Sequence, residues 1–532
     1  MAGLPDIAQR TLPAAYERVL QERPDELAQR DRTGSWTFAE SHDRSLRLGA
    51  GLRALGAGRG DPVALLLDNS LDAVHTWSGI GLSGLIEVPV NTAYVGAFLT
   101  HVLNDSGAAV AVVEGRYVER ILAVADELTS LRTLVVRGDA AAADEARHRF
   151  RVVPFGEVES TTPGSPVPVG PGELHAYMYT SGTTGRSKGV LISHAHAYTY
   201  ASREDQDRPR PGDRILVTLP LFHLAGQWYG VYQALIHQVP CVLEPAFSVS
   251  RFWNVVREHD VTVTVMLGAM AELLQQQAPR PDDADNPLQL AIMAPLASDV
   301  QGFRKRFGID VAAVYGMSEI GCVLNGPPET IVGGECGFPR DEYDLRLVGD
   351  DGRDVGVGQV GELWVRPRYP ETVMAGYHNL PEKTAETLRD GWVHTGDAFR
   401  RDGAGRFFFA DRMKDALRRR GENISSFEVE RVINEYPEVY ESAVVAVPSE
   451  LTEDEIKAVV VPREGRTVDP EQLTRFLIDR LPYFMVPRYL EFASELPKTP
   501  TQKIHKHVLR ERGVTSDVWD REAAGIVLRR PR

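Results

Sequence analysis

Cysteine is scarce in this chain: Cys241, Cys322 and Cys336 are the three in 532 residues, and no two stand in Cys-x-x-Cys spacing. That excludes a disulfide framework and a thiolate zinc site, and it suits a reducing compartment. Net basic charge is lacking too. Asp and Glu number 74 against 59 Lys and Arg, a formal charge of −15, so broad binding to nucleic acid or to an anionic membrane is not expected. The basic run Arg418-Arg419-Arg420 is too short to reverse that balance. No apolar stretch is long enough to cross a bilayer; the most apolar, residues 80–90, is short and broken by glycine. The first residues show no basic segment leading into an apolar one, as a secretory signal would. The expectation is a cytoplasmic protein with neither a nucleic-acid nor a membrane partner.

What is present fits an ordinary globular protein, with 43% hydrophobic and 25% charged residues. The length exceeds one compact core, so two or more domains are expected. Short apolar runs at 62–67, 109–113 and 214–218 read as buried strands, and helical spacing runs through 45–55 and 118–128. Such alternation implies parallel sheets covered by helices. Gly349-Asp350-Asp351-Gly352 reads as a hairpin turn before a strand at 361–365, which makes 335–412 a more β-rich segment. Beyond Arg412, a helix at 427–435, strands at 443–447 and 456–461 and a helix opened by Asp469-Pro470 describe a small α+β domain. The charged segment after Gly513 is expected to be loosely held. The fold class is α/β: a large N-terminal domain over 1–413 with parallel-rich sheets and a β-rich subdomain, a small α+β domain over 414–515, and a tail over 516–532.

One stretch concentrates chemistry. Tyr179-Thr180-Ser181-Gly182-Thr183-Thr184-Gly185-Arg186-Ser187-Lys188-Gly189 places hydroxyls, glycines and one lysine between two strand-like runs, 176–179 and 190–192. Glycines let backbone N–H groups approach an anion, hydroxyls donate hydrogen bonds, and the lysine adds positive charge. It is not a Walker A loop, because Lys188 stands three residues after Gly185. Composition alone fits a flexible surface turn equally well. Gly49-Ala50-Gly51-Leu52-Arg53-Ala54 mimics a dinucleotide fingerprint, but it sits inside a helical pattern instead of at a strand end.

The full wording of the loop closely resembles the phosphate loop of the acyl-adenylate-forming superfamily, which holds acyl-CoA synthetases, peptide-synthetase adenylation domains and luciferases. The resemblance continues in order along the chain. It runs through Tyr315-Gly316-Met317-Ser318-Glu319, Gly361-Glu362-Leu363, Gly376-Tyr377 and Gly391-Trp392-Val393-His394-Thr395-Gly396-Asp397. It then passes Asp411-Arg412-Met413-Lys414-Asp415 and Arg420-Gly421-Glu422-Asn423-Ile424-Ser425, and ends on Pro497-Lys498-Thr499-Pro500-Thr501-Gln502-Lys503. It covers roughly 10–515, and the Arg-Gly-Glu-Asn-Ile-Ser wording is nearest to carnitine- and fatty-acid-type CoA ligases.

The resemblance implies an ATP-dependent enzyme that activates an acid as acyl-AMP with Mg²⁺, releases pyrophosphate, and passes the acyl group to coenzyme A. Two anions must meet in the first step, so positive charge and a metal are required. By the resemblance, Thr180, Ser181, Gly182, Thr183, Thr184, Gly185 and Lys188 hold the β- and γ-phosphates. Glu319 ligates Mg²⁺, with Thr180 beside it. Tyr315 stacks on adenine, with Gly316, Met317, Ser318, Ala294 and Pro295 along the nucleotide; Ser318 keeps the hydroxyl of the threonine common there. Asp397 accepts from the ribose hydroxyls, a role a carboxylate suits because it offers two acceptors, and Arg412 supports the same sugar. Lys503 contacts the substrate carboxylate and the α-phosphate; Gln502 departs from the glycine that usually precedes it. Lys414 is the pivot about which the mobile small domain turns, bringing Gly421 to the acceptor channel.

The acid pocket is implied around 223–232, 266–270, 291–296 and 316–321, with His223 at its mouth. Ile292-Met293-Ala294-Pro295 replaces the frequent Gly-Gly-Ala-Pro, and methionine for glycine takes up space, which disfavours a long straight acyl chain. Trp228, Tyr229 and Tyr232 either face an aromatic substrate or pack as helix core. Two other functions stay open: activation of nitrite to diazotise an aromatic amine, and a non-catalytic nucleotide-binding scaffold, for which Lys503 would have no use. The partner is a small-molecule acid, and a homodimer is compatible with the reading. Lys503→Ala should reduce adenylate formation by roughly 100- to 1,000-fold, measured as acid-dependent pyrophosphate release, while ATP affinity changes little; near-native release would remove Lys503 from the step.

Overall fold

The structure is a computed structural model that describes the chain apart from residues 1–3, 139–140, 181–185, 203–208, 298, 350, 413–415, 420–421, 450–453, 498–503, 505 and 529–532. It divides into two compact units. The first comprises 1–92, 103–179 and 189–411, the second 93–102, 180–188 and 412–532.

The first unit is built on two sheets. In the eight-stranded sheet, Ile86–Pro89, Pro62–Leu66, Val110–Glu114, Thr133–Arg137 and Arg151–Pro154 run parallel in that spatial order. Leu174–Thr180 lies parallel on the other side of Ile86–Pro89, followed outward by Lys188–Ser193 and Gly376–Tyr377. These strands are nearly unbroken apolar runs because both faces are covered. Helix Phe38–Ala54 starts at a reciprocal capping box between Thr37 and Glu40, and helix Leu71–Leu82 starts at the Ser70 hydroxyl. The two helices touch through glycine: a Cβ on Gly49 would stand 2.5 Å from the Gly79 carbonyl oxygen and against the Ser83 hydroxyl. Gly49 therefore serves helix packing, and the fingerprint-like wording around it has no nucleotide role.

The fourteen-stranded sheet starts at the edge strand Ser35–Thr37, antiparallel to Leu27–Arg30, and continues as a parallel run. Leu27–Arg30, Cys241–Leu243, Ile215–Val217, Val263–Met266, Leu290–Met293 and Asp310–Met317 follow one another in that order. From Asp310–Met317 onward the pairing turns antiparallel, through Gly321–Gly326 and Glu335–Pro339 to Phe407–Arg412. The sheet ends in Trp392–Arg401, Val360–Pro367 and Tyr343–Val348. This is the expected α/β architecture with its β-rich part. Val63, Leu65 and Met178 from one sheet and Ile215, Val263 and Ile292 from the other share a single core. Helix His194–Ala201 is buried at every residue, as befits a helix with no solvent face.

Two local expectations differ from the structure, and one holds. The helix over 118–128 is two pieces, Val118–Leu122 and a 3₁₀ turn Ala125–Glu127, because Val124 leaves helical geometry at φ −117°. Gly349–Gly352 does close a turn, with Gly352 N donating to Gly349 O at 2.9 Å. The chain then folds back once more, Val355 N reaching Leu347 O at 2.9 Å, and the strand expected over 361–365 is found within Val360–Pro367.

The second difference lies in the second unit. There a hairpin, Ala416–Arg419 with Glu422–Ser425, accompanies a four-stranded sheet of Val439–Pro448, Asp454–Pro462, Tyr489–Phe492 and Trp519–Asp520. Residues 514–528 are thus docked, not loose: Trp519 pairs with Leu490, Arg488 meets Asp520 at 3.0 Å, and Arg521 is fully buried against the Pro487 carbonyl. Asp520, Arg521 and Glu522 find partners, which charge alone does not foretell. Inside the unit, Arg419 pairs with Glu455 at 2.5 Å and Lys457 with Glu491 at 2.6 Å, all four buried. Among the described residues no helix is long and apolar enough to cross a membrane.

Gly49→Ala should lower stability by about 1–3 kcal/mol, the usual cost of overpacking, whereas Gly34→Ala, with nothing within 4 Å of its Cβ position, should be near neutral. Thermal denaturation of the two variants checks this; equal melting temperatures would contradict the helix contact.

Candidate active site

Strands Ile215–Val217, Val263–Met266, Leu290–Met293 and Asp310–Met317 are consecutive parallel neighbours, so their carboxyl ends share one edge of the sheet. In open α/β sheets ligands bind outside that edge, near the strand where the topology changes. At this edge stand residues 218–223 ending in His223, the start of helix Gly268–Gln275, the cis peptide Ala294–Pro295, and the turn with Ser318 and Glu319. The four stretches expected to line the acid pocket are therefore the four successive strand ends. Two of them touch directly: a Cβ on Gly268 would lie 2.8 Å from the Pro295 oxygen, and Ala294 N reaches Met266 O at 3.3 Å. The Met293 side chain, expected to fill space, is fully buried and turns its sulfur onto Ala297 N at 3.1 Å.

A register shift between Tyr315 and Gly316 interrupts the pairing with Gly321–Gly326. Bulges re-aim side chains beside active sites, and Gly316 leaves no room for a Cβ, which would stand 2.8 Å from Cys322 Cα. Tyr315, half-buried, packs edge-on against Phe399 with centroids 4.7 Å apart and donates its phenol to Asp397 Oδ2 at 2.6 Å. Asp397 lies within the strand Trp392–Arg401, 3% exposed, and follows Gly396 at φ +71°. That glycine is held by Glu362, whose Oε1 accepts from Gly396 N at 2.9 Å while Oε2 accepts from Trp364 Nε1 at 2.7 Å.

Glu319 is buried in the turn after the bulged strand. Its Oε1 accepts from the Tyr377 phenol at 2.8 Å, and its backbone oxygen accepts from Met374 N at 2.9 Å. A phenol orients the carboxylate without bringing a charge of its own. Mg²⁺ bound with a nucleotide takes one or two carboxylates together with phosphates and waters, so Glu319 fits that need. Among the described residues no group of three or more His, Cys, Asp or Glu forms a metal cage. The pairings of Tyr377 and Glu362 with these residues are what sequence reasoning missed. Both residues belong to motifs that could be matched, but nothing in their spacing names the partner.

The strands that flank the loop, Leu174–Thr180 and Lys188–Ser193, are neighbours in the eight-stranded sheet, with Thr180 and Lys188 half-buried. Just below Thr180, the Tyr179 phenol donates to Asp105 Oδ2 at 2.6 Å; burial, then this carboxylate, push its pKa far up and keep it a donor. Just after Lys188, Gly189 O accepts from His378 N at 2.7 Å, and the His378 ring stacks on Tyr177 at 4.5 Å. Residues Ser181 to Gly185, Lys414, Gly421 and Lys503 lie outside the described residues, as does the Arg412 side chain.

His223 is half-buried ahead of the turn Leu224–Gly226, its ring 4.6 Å from that of Phe222. The next turn, Gln227–Tyr232, is a π-helix, a form that recurs near functional sites. Trp228, Tyr229 and Tyr232 are buried in it against Tyr200 and Trp77, and the Tyr229 phenol meets Cys322 Sγ at 2.7 Å. Of the two alternatives for these aromatics, core packing is the one observed.

With this geometry in place, comparison with known families is decisive. Residues 16–378 match the AMP-binding enzyme family, and 428–503 match the AMP-binding enzyme C-terminal domain. The chain belongs to the AMP-binding enzyme family. It is 33% identical over 484 residues to a feruloyl-CoA synthase of Amycolatopsis sp, covering 90% of this chain and 94% of that one. It is 30% identical to a crotonobetaine/carnitine–CoA ligase of Escherichia coli O7:K1, covering 86% and 89%. Among solved structures, the amide bond synthetase McbA from Marinactinospora thermotolerans superimposes with a TM-score of 0.82 at 25% identity, over 94% of this chain and 99% of that one.

Asp397→Ala should raise the KM for ATP at least about tenfold, as expected when a charged hydrogen-bond acceptor is lost. Tyr315→Phe, which removes only the phenol that orients it, should cost about three- to tenfold. Steady-state kinetics with ATP varied checks both; an unchanged KM in the Asp397 variant would contradict the ribose contact expected of it.

Proposed function

We propose that this AMP-forming acid–CoA ligase acts on a small carboxylic acid, with the residues of the candidate site in the roles that follow. A carboxylate oxygen of the acid attacks the α-phosphorus of ATP, the bond to the β-phosphate oxygen breaks, and pyrophosphate leaves. The coenzyme A thiol then attacks the acyl carbonyl, loses its proton, and displaces AMP. Thr180 to Lys188 hold the β- and γ-phosphates. Tyr315 and Asp397 hold adenine and ribose, with Ala294, Pro295, Gly316, Met317 and Ser318 alongside and Arg412 on the sugar. Glu319 and Thr180 would hold Mg²⁺, which supplies charge neutralisation at the phosphates. Lys503 neutralises charge where carboxylate and α-phosphate converge, and His223 stands at the mouth of the acid pocket. Lys414 serves as pivot between residues 1–413 and 414–515, and Gly421 lies on the path of the thiol.

The observation that carries this reading is the alignment of four strand ends, those before His223, Gly268, Ala294 and Ser318, along one sheet edge. The relatives support the class of acid and acceptor: one is named a feruloyl-CoA synthase, another a crotonobetaine/carnitine–CoA ligase. They favour a carboxylic acid over nitrite.

Purified protein with ATP, Mg²⁺ and a panel of small aromatic and aliphatic carboxylic acids should yield AMP and pyrophosphate only with particular acids. Adding coenzyme A should give the thioester by mass spectrometry. Nitrite with an aryl amine, and amines in place of coenzyme A, serve as comparison arms. ADP as product, or turnover confined to the nitrite arm, would overturn the proposal.

A further inference from the structure

Glu87 sits in the strand Ile86–Pro89 with a side chain 1% exposed. At its register the neighbouring strands present Val63 and Ala176, both apolar. Gln227, the first residue of the π-helical turn Gln227–Tyr232, donates from Nε2 to Glu87 Oε1 at 2.6 Å. The two remaining oxygens, Glu87 Oε2 and Gln227 Oε1, are buried without a hydrogen-bond donor. Unmatched buried acceptors are uncommon and call for an explanation, and an ionised carboxylate here would be a buried charge with no counter-ion.

A carboxylic acid and a primary amide are complementary: N–H of the amide meets C=O of the acid, and O–H of the acid meets C=O of the amide. One proton on Glu87 Oε2 therefore supplies the donor that the second bond needs. We propose that Glu87 is kept as the neutral acid, closes a two-hydrogen-bond ring with Gln227, and so positions the turn that begins just after His223. Burial pushes the Glu87 carboxyl up to about 8, in the direction the ring requires. Burial and the Gln227 bond are the influences on it, and neither flanking strand brings a charge to its register.

The backbone shows what the ring would hold. Gln227 N donates to His223 O at 3.0 Å, so the residue that Glu87 grips also ties down His223. One ring thus links the eight-stranded sheet to the wall of the pocket edge. Glu87 is a positioning residue. This consequence rests on the acid-pocket reading of 223–232; the protonation of Glu87 does not.

Two measurements test the two parts separately. The infrared difference spectrum between the native protein and Glu87→Gln at pH 7 should show a carboxylic-acid C=O stretch that shifts in D₂O. No such band would refute the neutral acid, whatever the enzyme's substrate proves to be. In the pyrophosphate-release assay, Glu87→Ala should raise the KM for the acid about tenfold, the scale of two neutral hydrogen bonds, with KM for ATP unchanged. Glu87→Gln, which can form an amide–amide ring, should restore it. For the native protein the acid KM should climb above about pH 8, and for Glu87→Gln it should stay flat. An unchanged acid KM in Glu87→Ala, a parallel rise in both KM values, or an alkaline rise that persists in Glu87→Gln would refute the positioning role.

Discussion

Between Leu290 and Gly326 the larger sheet changes from parallel to antiparallel pairing, and the candidate site depends on that change. A parallel run delivers strand after strand with carboxyl ends on one side, which collects His223, Gly268, Ala294 and Glu319 from distant parts of the chain. The antiparallel side then brings in what the parallel side cannot. Asp397, 82 residues beyond Tyr315, reaches the Tyr315 phenol from a strand of the β-rich part. The bulge at Tyr315–Gly316 is the joint between the two regimes, and the absent Cβ at Gly316 lets the strands approach closely enough to make it.

Around that joint, carboxylates are held by neutral donors. Tyr377 orients Glu319, Tyr315 orients Asp397, and Glu362 in turn fixes the backbone of Gly396. A phenol or an N–H aligns a carboxylate without contributing a charge of its own, which suits the roles proposed for Glu319 and Asp397. The Glu87–Gln227 pair follows the opposite logic. It lies between apolar neighbours, where a charge would go uncompensated, so the proton stays on the acid and the amide reads it. The small unit shows a third solution, pairing Arg419 with Glu455 and Lys457 with Glu491 in its interior.

The alternation of apolar runs and helical stretches was enough to expect parallel sheets under helices, because strands buried on both faces are apolar for most of their length. The motif wording was enough to name the family, since each motif is a short local run that can be matched without its partners. Gly49 could be separated from a nucleotide fingerprint by its helical setting alone. Expectations failed where charge or composition had to stand in for partners. The charged segment after Gly513 gave no hint that Arg521 would be buried or that Trp519 would pair with Leu490.

By itself, the sequence determined the class of fold and the family, because periodicity and motif wording are short-range properties. Only the tertiary structure decided which residues meet. That Trp228 and Tyr232 are core, that Tyr377 holds Glu319, and that Glu87 faces Gln227 across 140 positions of chain are matters of long-range register. Register is set by the packing of two sheets on a common core, and no window of sequence contains both sides of that contact.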